Sequence, residues 1–473
     1  MPDTAARAGG ALAWPVRLLV VSDFSGGRDR REIRRADGTP IDDLLAATAP
    51  RITIGSFTPG ELEFRRLADF APESLRSSLP GRDGEAPSAS DLDSALHAPA
   101  FQSIESAWRG LAFLLAQVAA APGGSGDAHG AARVDLIDID TSALRRSPEI
   151  LFSAAFGDPA RHYTAILIDL DLGAAPADGA LLEALATQAE RRRTPALLGT
   201  APALLGLQHA AHLPGILDPA ARLDAALNGA WRTFRESDAA RWIGLTVNRI
   251  LLRSPYTQDA AGHQESASPA RPGDYLWGRG IWVAGADLLR SARDQGHPLA
   301  LSGIFPERFH LGRPLWSWTG AGGARQSSAI EAAFDQDAVQ RFVRAGLSPI
   351  LEPAGAGTAV LPLVVNAFRP DPRRIPVEGT LAHTLILAHF VSAIARAAPL
   401  LAAEPDDKAA GALLRGELSS ALGPRFAGET ATALETSIER KAQERIASAS
   451  LRGDLTGSGR DEEIQISIPL SMR

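Results

Sequence analysis

The chain has 473 residues, a net charge of −7, 45% hydrophobic and 22% charged residues, a balance that fits a globular protein of about two to four domains with ample core. It contains no cysteine, which excludes disulfides, thiolate zinc sites and cysteine nucleophiles. Its acidity argues against a general nucleic-acid binder, and 46 of its 48 basic residues are arginine, a forked cation suited to bidentate interface pairs.

The opening MPDTAARAGGALAWP has no long apolar core before a cleavage site, so no secretory signal is expected. No run of about 18 uncharged apolar residues predicts a membrane span. Residues 16–21 (VRLLVV) predict a buried strand leaving through the turn-forming SDFSGG. Residues 41–48 (IDDLLAAT) predict a short helix that Pro50 ends; 51–54 and 60–65 alternate like strands, and Pro72 opens a helical turn. The Pro/Gly/Ser-rich stretch at 80–91 is the candidate linker.

From Asp91 a helical pattern runs to about Ala120, with Pro99 dividing it into two helices, and 121–132 reads as a loop. Residues 133–140 and 163–172 predict strands, 176–193 an amphipathic helix, and PALLGTAPALLGL a strand and turn. Helix is expected over 219–241, 274–295 and within 376–401. At the chain end EIQISIPL places Ile464, Ile466 and Ile468 on one face and Gln465 and Ser467 on the other, the pattern of a β-strand. Strands alternating with helices predict a mixed α/β fold around a largely buried sheet.

Signals for chemistry are sparse. There is no GxxxxGK(S/T) and no GxSxG. GRGIWVAG at 278–285 has the wrong glycine spacing for a dinucleotide site, and AGAGTAV at 354–360 lacks the third glycine. His209 and His212, like His383 and His389, lack a third metal ligand nearby. Asp135, Asp138, Asp140, Asp169 and Asp171 gather at predicted strand ends, where carboxylates can hold a metal ion but also serve as ordinary helix caps. The arginines at 191–193 read as a solvated helix end, with an interface role as the lesser option. No catalytic, cofactor or metal residue is therefore assigned, and a metal-dependent hydrolase is the remotest reading.

The most informative stretch is WRTFRESDAARWIGLTVNRILLRSPY at 231–256, containing Trp231, Phe234, Arg235, Glu236, Arg241, Arg249, Pro255 and Tyr256. It closely resembles a segment of the large subunit of the type VI secretion contractile sheath (TssC or VipB). FQSIESAWRGLAFLL at 101–115, with Phe101, Glu105, Trp108 and Arg109, resembles that family's WRGL helix. LFSAAFGDPARHYTAILIDLDL and DYLWGRGIWVAGADLLRSARDQG follow in the family's order. Upstream, VRLLVVSDFSG, IDDLLAATAPRITI and GELEFRRLADFAPESL resemble the sheath small subunit (TssB or VipA).

The resemblance implies two sheath-type α/β halves fused in one chain. The small-subunit-like part would cover 1–80, a linker 81–91, the large-subunit-like part 92–440, and a C-terminal strand region 441–473. It further implies a non-enzymatic protein of the bacterial cytoplasm, with no cofactor, no nucleic acid and no membrane insertion. Its partners would be neighbouring protomers, the inner-tube protein Hcp and a baseplate. Ile464, Gln465, Ile466, Ser467 and Ile468 would form the strand exchanged between protomers, while Trp108, Arg109, Trp231 and Arg235 would hold packing. Near-absence of the large subunit's N-terminal extension before Asp91 leaves recycling by the ATPase ClpV open. The shortened ends keep a second expectation in view, a sheath-like accessory (cap, baseplate adaptor or regulator) that does not polymerise.

Overall fold

The computed structural model describes residues 16–55, 61–79, 86–119, 132–158, 161–257, 262–268, 271–295, 297–301, 316–319, 325–352, 358–369, 376–422, 433–441, 444–453 and 462–470. The opening fifteen residues, nearly all of the predicted 121–132 loop, the first half of the linker and the glycines of AGAGTAV lie outside them.

The chain begins with β1 (Arg17–Ser22), β2 (Ile33–Arg35), α1 (Ile41–Thr48), β3 (Arg51–Thr53) and β4 (Glu61–Glu63). Helices α2 (Pro72–Ser78), α3 (Ala89–Leu96) and α4 (Pro99–Ala119) follow. Next come β5 (Arg133–Asp138), α5 (Thr141–Arg146), α6 (Glu149–Ala155), β6 (Ala165–Leu172), α7 (Pro176–Arg192) and β7 (Ala196–Thr200). Two short helices, α8 (Pro219–Ala226) and α9 (Ala230–Glu236), precede β8 (Ile243–Thr246), β9 (Ile250–Arg253), β10 (Leu276–Gly278) and α10 (Ile281–Gln295). Beyond β11 (Trp316–Thr319), β12 (Arg325–Ser328), α11 (Gln336–Arg344) and β13 (Leu347–Ser348) lie the long α12 (Leu381–Ala403) and α13 (Asp407–Leu422). The chain closes with β14 (Ala433–Lys441), β15 (Glu444–Gly453) and β16 (Glu462–Leu470).

Seven strands form the main sheet in the order β13-β8-β7-β6-β1-β5-β2, all parallel except the edge strand β2. From β1 the chain steps to β5 on one side, then crosses back to β6 on the other, so the winding reverses at the β1–β6 junction. Strand β1 is apolar at every inner position because both its faces are covered. Leu18 and Val20 join a core with α4, α10 and α12, while Leu19 and Val21 join a core with α6, α7, α9 and α11. The fold is therefore a mixed α/β architecture with helices on both faces of a buried sheet. The first eighty residues supply the interior strand β1 and the edge strand β2.

Side-chain caps open five of the helices. Ser88 and Asp91 form a reciprocal capping box at α3, and Asp140, Asp218, Asp335 and Thr380 accept from the first turns of α5, α8, α11 and α12. Helix α3 thus begins inside the stretch read as linker. The helix expected over 219–241 is broken by Asn228 and Gly229, both in the left-handed region (φ 53° and 81°), into α8, α9 and a 3-10 turn at Asp238–Trp242. The helix expected from 274 starts at Ile281, because Leu276–Gly278 pairs antiparallel with β9.

Helix α12 is long and apolar enough to cross a membrane by length and composition, which Arg396 hides in a search for uncharged runs. Its Leu385, Ile386, Phe390, Ile394 and Leu401 are buried in the protein core. Against it and α13 packs a second sheet, β14-β15-β16, antiparallel throughout. The terminal strand has the expected alternation: Ile464 and Ile466 are buried and Ile468 half-buried, while Gln465 and Ser467 are exposed.

Candidate functional site

The WRGL helix α4 ties the parts of the fold together. Its Glu105, wholly buried, and Arg109 lie one turn apart and pair at 2.7 Å. Arg253, at the end of β9, donates to both oxygens of Glu105 (2.8 and 3.2 Å) and both oxygens of Glu265 (2.7 and 3.4 Å). Its guanidinium lies over the Tyr256 ring at 4.3 Å, and the Tyr256 hydroxyl accepts from Arg109 (3.0 Å) and donates to the Phe70 carbonyl (3.4 Å). Burial works against the Arg253 charge, but Glu105 and Glu265 outweigh it and hold its proton more tightly than usual. Burial also pushes the Glu265 carboxyl up, and His97 and Arg253 overcome this and bring it below the ordinary range.

The same helix grips the N-terminal part. The Trp108 indole donates to the Phe24 carbonyl at 3.0 Å, and Phe101 meets the rings of Phe64 and Phe70 edge-on at 5.7 Å each. Gly110 leaves room for Trp282 of α10; a Cβ there would sit 2.2 Å from its ring.

Around 231–256 the motif residues divide by role. Trp231 and Phe234 are buried. Arg235 donates to the Arg344 carbonyl (2.6 Å) and Arg369 to those of Val343 (3.0 Å) and Gly379 (2.9 Å), so two buried arginines satisfy the last turn of α11. Burial without a close carboxylate brings Arg235 down to about 10 and Arg369 to about 9. Arg241 pairs with Asp238 and lies 3.6 Å from the Phe368 ring centre, and Arg249 pairs with Glu331 at 2.8 Å. Glu236 is exposed, and Pro255 is half-buried.

The β1–β6 junction is where sheets wound this way hold ligands. Here Arg279 fills it, reaching Asp169 at 2.8 Å and Asp171 at 3.1 Å, while Ser22 donates to Asp169 at 3.0 Å. Gly199 makes the space; a Cβ there would lie 2.0 Å from Asp171. The remaining aspartates are also engaged: Asp135 with Arg17 and Tyr163, Asp138 with the Phe24 and Ser25 amides, and Asp140 as a cap. Among the described residues no group of three His, Cys, Asp or Glu side chains is placed to hold a metal ion. His209 and His212 sit ring to ring at 6.2 Å, and His389 donates to the Ala421 carbonyl at 2.9 Å. The glycines of GRGIWVAG are packing glycines: Gly278 abuts Leu252, Gly280 abuts Thr246, and Gly285 abuts Leu167.

At the C-terminus β16 pairs with β15 over nine residues, Ile464 opposite Leu451, Ile466 opposite Ala449 and Ile468 opposite Ala447. Ser467 hydrogen-bonds Ser448 at 2.9 Å on the outer face.

Sequence reasoning missed Glu265, Arg279 and Arg369, and the buried amides Asn248 and Asn366. Asn248 donates to the Ala332 and Ile350 carbonyls and accepts from the Ile350 amide. Asn366 donates to Glu378 and Thr384 and accepts from Phe368. Arg253, like Arg249, left a sequence signal, as a charge inside an apolar run.

A family model described as VipB (EvpB/VC_A0108, tail sheath N-terminal domain) matches residues 88–362. The chain is 22% identical over 306 residues to the type VI secretion system sheath protein TssC1 of Pseudomonas aeruginosa, covering 60% of this chain and 59% of that protein. It thus spans less than two thirds of that curated relative's length. Among solved structures, it is similar to a chain of the anti-feeding prophage baseplate (11% identity, TM-score 0.45, covering 100% of this chain and 94% of that one). It is also similar to the sheath tail protein Lin1278 from Listeria innocua (9% identity, TM-score 0.42, covering 97% and 96%).

Proposed function

The chain belongs to the VipB tail sheath family, and from that premise we propose that it is a structural component of a cytoplasmic type VI secretion sheath, with small- and large-subunit-like parts in one polypeptide. The family is structural, not enzymatic. In this reading residues 1–80 stand for the small subunit, 81–91 for a linker, 92–440 for the large subunit and 441–473 for the strand region that links protomers. One chain then fixes the stoichiometry and raises the effective concentration of the two parts. The observation carrying the fusion reading is the place of β1, between β5 and β6. A large-subunit-like sheet that lacks an interior strand until residues 17–22 arrive is what an obligate heterodimer would need. Co-expressing residues 1–80 and 86–473 as separate chains tests it: co-purification is expected, and a stable, folded 86–473 alone would count against it.

The sheath would surround an inner tube of Hcp, sit on a baseplate and drive the tube outward as protomers rotate into a better-packed lattice. Ile464, Gln465, Ile466, Ser467 and Ile468 would carry the link between protomers, since main-chain ladder bonds survive such rotation. Electron microscopy of the purified chain, alone and with Hcp, tests assembly, with regular hollow tubes as the expected result. Ile466→Pro removes a ladder donor and a buried side chain and should abolish tubes, with circular dichroism of the variant separating loss of the link from loss of the fold. A second reading, a non-polymerising sheath-like accessory, draws on the nine-residue ladder that holds β16 on β15 of its own chain. Discrete monomers or small oligomers under all conditions would favour it. Recycling by ClpV is assayed separately, by disassembly of preformed tubes with the ATPase.

A further inference from the structure

We infer that the edge of the main sheet where its parallel strands begin is a docking surface for a carboxylate-rich face of another protein. Register sets Arg17 beside Arg133 at the starts of β1 and β5. The Thr164 amide donates to the Arg17 carbonyl (2.7 Å) and the Ile166 amide to that of Pro195 (2.9 Å), so Arg161 and residues 191–193 continue the same edge. Ala196 pairs with Ile243, which brings in Arg241.

Four of these guanidinium groups lie on aromatic rings. Arg17 covers Tyr163 (5.1 Å), Arg192 covers Phe156 (5.2 Å), Arg193 covers Trp242 (5.6 Å) and Arg241 covers Phe368 (3.6 Å). Stacking engages the flat face of a guanidinium, limits its rotamers and leaves its N–H edge for an acceptor. Arg17, Arg161 and Arg241 turn that edge to Asp135, Asp158 and Asp238. Arg133, Arg191, Arg192 and Arg193 make no ion pair among the described residues, and all four are exposed. The dipole of α7 accounts for cations in its own last turn. It does not account for Arg17, Arg133 and Arg161 at strand starts.

Arginine and aromatic side chains together are the composition of interface hot spots. An acidic protein face fits better than a nucleic acid because Asp158, Glu190 and Asp238 lie among these arginines and the whole chain carries −7. A long polyanion would run off the edge onto acidic surface, whereas a compact carboxylate patch would not.

The test uses the full-length chain and a fluorescein-labelled poly-glutamate peptide of about 20 residues, by anisotropy at about 50 mM salt where exposed charges are weakly screened. Arg191→Ser/Arg192→Ser/Arg193→Asn removes the exposed cations, Asn being chosen because position 193 has φ 51°. The control, Arg396→Ser/Lys408→Ser/Arg415→Ser, removes three exposed cations from α12 and α13. The peptide should bind the parent chain, about tenfold more weakly to the edge variant and nearly unchanged to the control. Arg133→Ser/Arg191→Ser, which disturbs no ring stack, should shift binding in the same direction and covers the case in which the triple variant unfolds. No binding by the parent chain, or equal losses in edge and control variants, overturns the inference. Tighter, edge-dependent binding of a single-stranded oligonucleotide of equal charge would assign the edge to nucleic acid instead. Salt-sensitive self-association lost in the edge variant would assign it to a second copy.

Discussion

Replacing Arg253 with Met should destabilise the fold by about 3 kcal/mol at neutral pH, the lower part of the range for removing one member of a buried ion network. Arg253 makes four hydrogen bonds to Glu105 and Glu265 and one to the Ser254 carbonyl (3.2 Å). Methionine fills much of the stem volume but leaves two carboxylates whose side chains are 0% and 1% exposed. Glu105 keeps Arg109, and Glu265 keeps His97 and the Tyr256 amide, which is why the upper end near 5 kcal/mol is not expected. Urea unfolding followed by tryptophan fluorescence and circular dichroism measures the loss. The pH dependence has a definite sign. In the parent chain the depressed Glu265 contributes stability above the ordinary carboxylate range, lost as pH falls through its folded value. In the variant Glu265, short of that cation, takes up its proton earlier, so the difference between the two chains should shrink toward about pH 4.5. Glu105→Gln/Arg253→Met/Glu265→Gln should recover a large part of the loss. A loss below about 1 kcal/mol with no pH dependence would mean the network behaves like an exposed pair and would refute the reasoning.

Other groups give further tests. Burial pushes the Asp287 carboxyl up to about 7, against the pull of Arg290, so stability falls as pH rises from the ordinary carboxylate range toward that value. Asp287→Asn should therefore gain on the parent chain by about 1–3 kcal/mol between about pH 5 and pH 8, and parallel pH profiles would count against it. Burial brings His383 and His389 down to about 4, so the folded state keeps both neutral and loses stability as pH falls below their ordinary value. His389→Gln, which keeps a donor for the Ala421 carbonyl, should flatten that acid-side loss; an unchanged slope would argue that the ring is hydrated. Gly110→Ala should cost about 1–3 kcal/mol or more from overpacking against Trp282, and an unshifted urea midpoint would show that the two helices separate freely.

Most elements were legible because local pattern and tertiary environment agree. VRLLVV, YTAILIDLDL and RVDLIDID are dominated by apolar residues because their strands are covered on both faces, with Asp135, Asp138 and Asp169 held by partners inside the fold, and EIQISIPL alternates because one face of its sheet is wet. The predicted breaks at Pro99 and Pro50 follow from a ring that cannot donate. The break at Asn228–Gly229 did carry a signal, since Asn-Gly marks a turn with positive φ, and a single helix over 219–241 passed over it; the strand at Leu276–Gly278 was not legible, being only three residues long. Strand β14 was missed because ALETSIERK offers only alternate small and apolar residues until it meets β15 and α13.

The candidate site divides in the same way. Trp108, Arg109, Trp231 and Arg235 were expected from the family resemblance to hold packing; in the structure Trp108, Trp231 and Arg235 are buried and Arg109 pairs with Glu105. Their actual partners were hidden by distance along the chain: Glu105 meets Arg253 148 residues later, and Asp169 meets Arg279 110 residues later. The sequence by itself determined the α/β class, many of the strands and helices, and the sheath large-subunit family, because these rest on periodicity and contiguous motifs. Only the tertiary structure decided that β1 enters the interior of the sheet, that Arg279 occupies the ligand crevice and that stacked arginines line the opposite edge. Each depends on which distant charges share one low-dielectric space, a property no local window of residues contains.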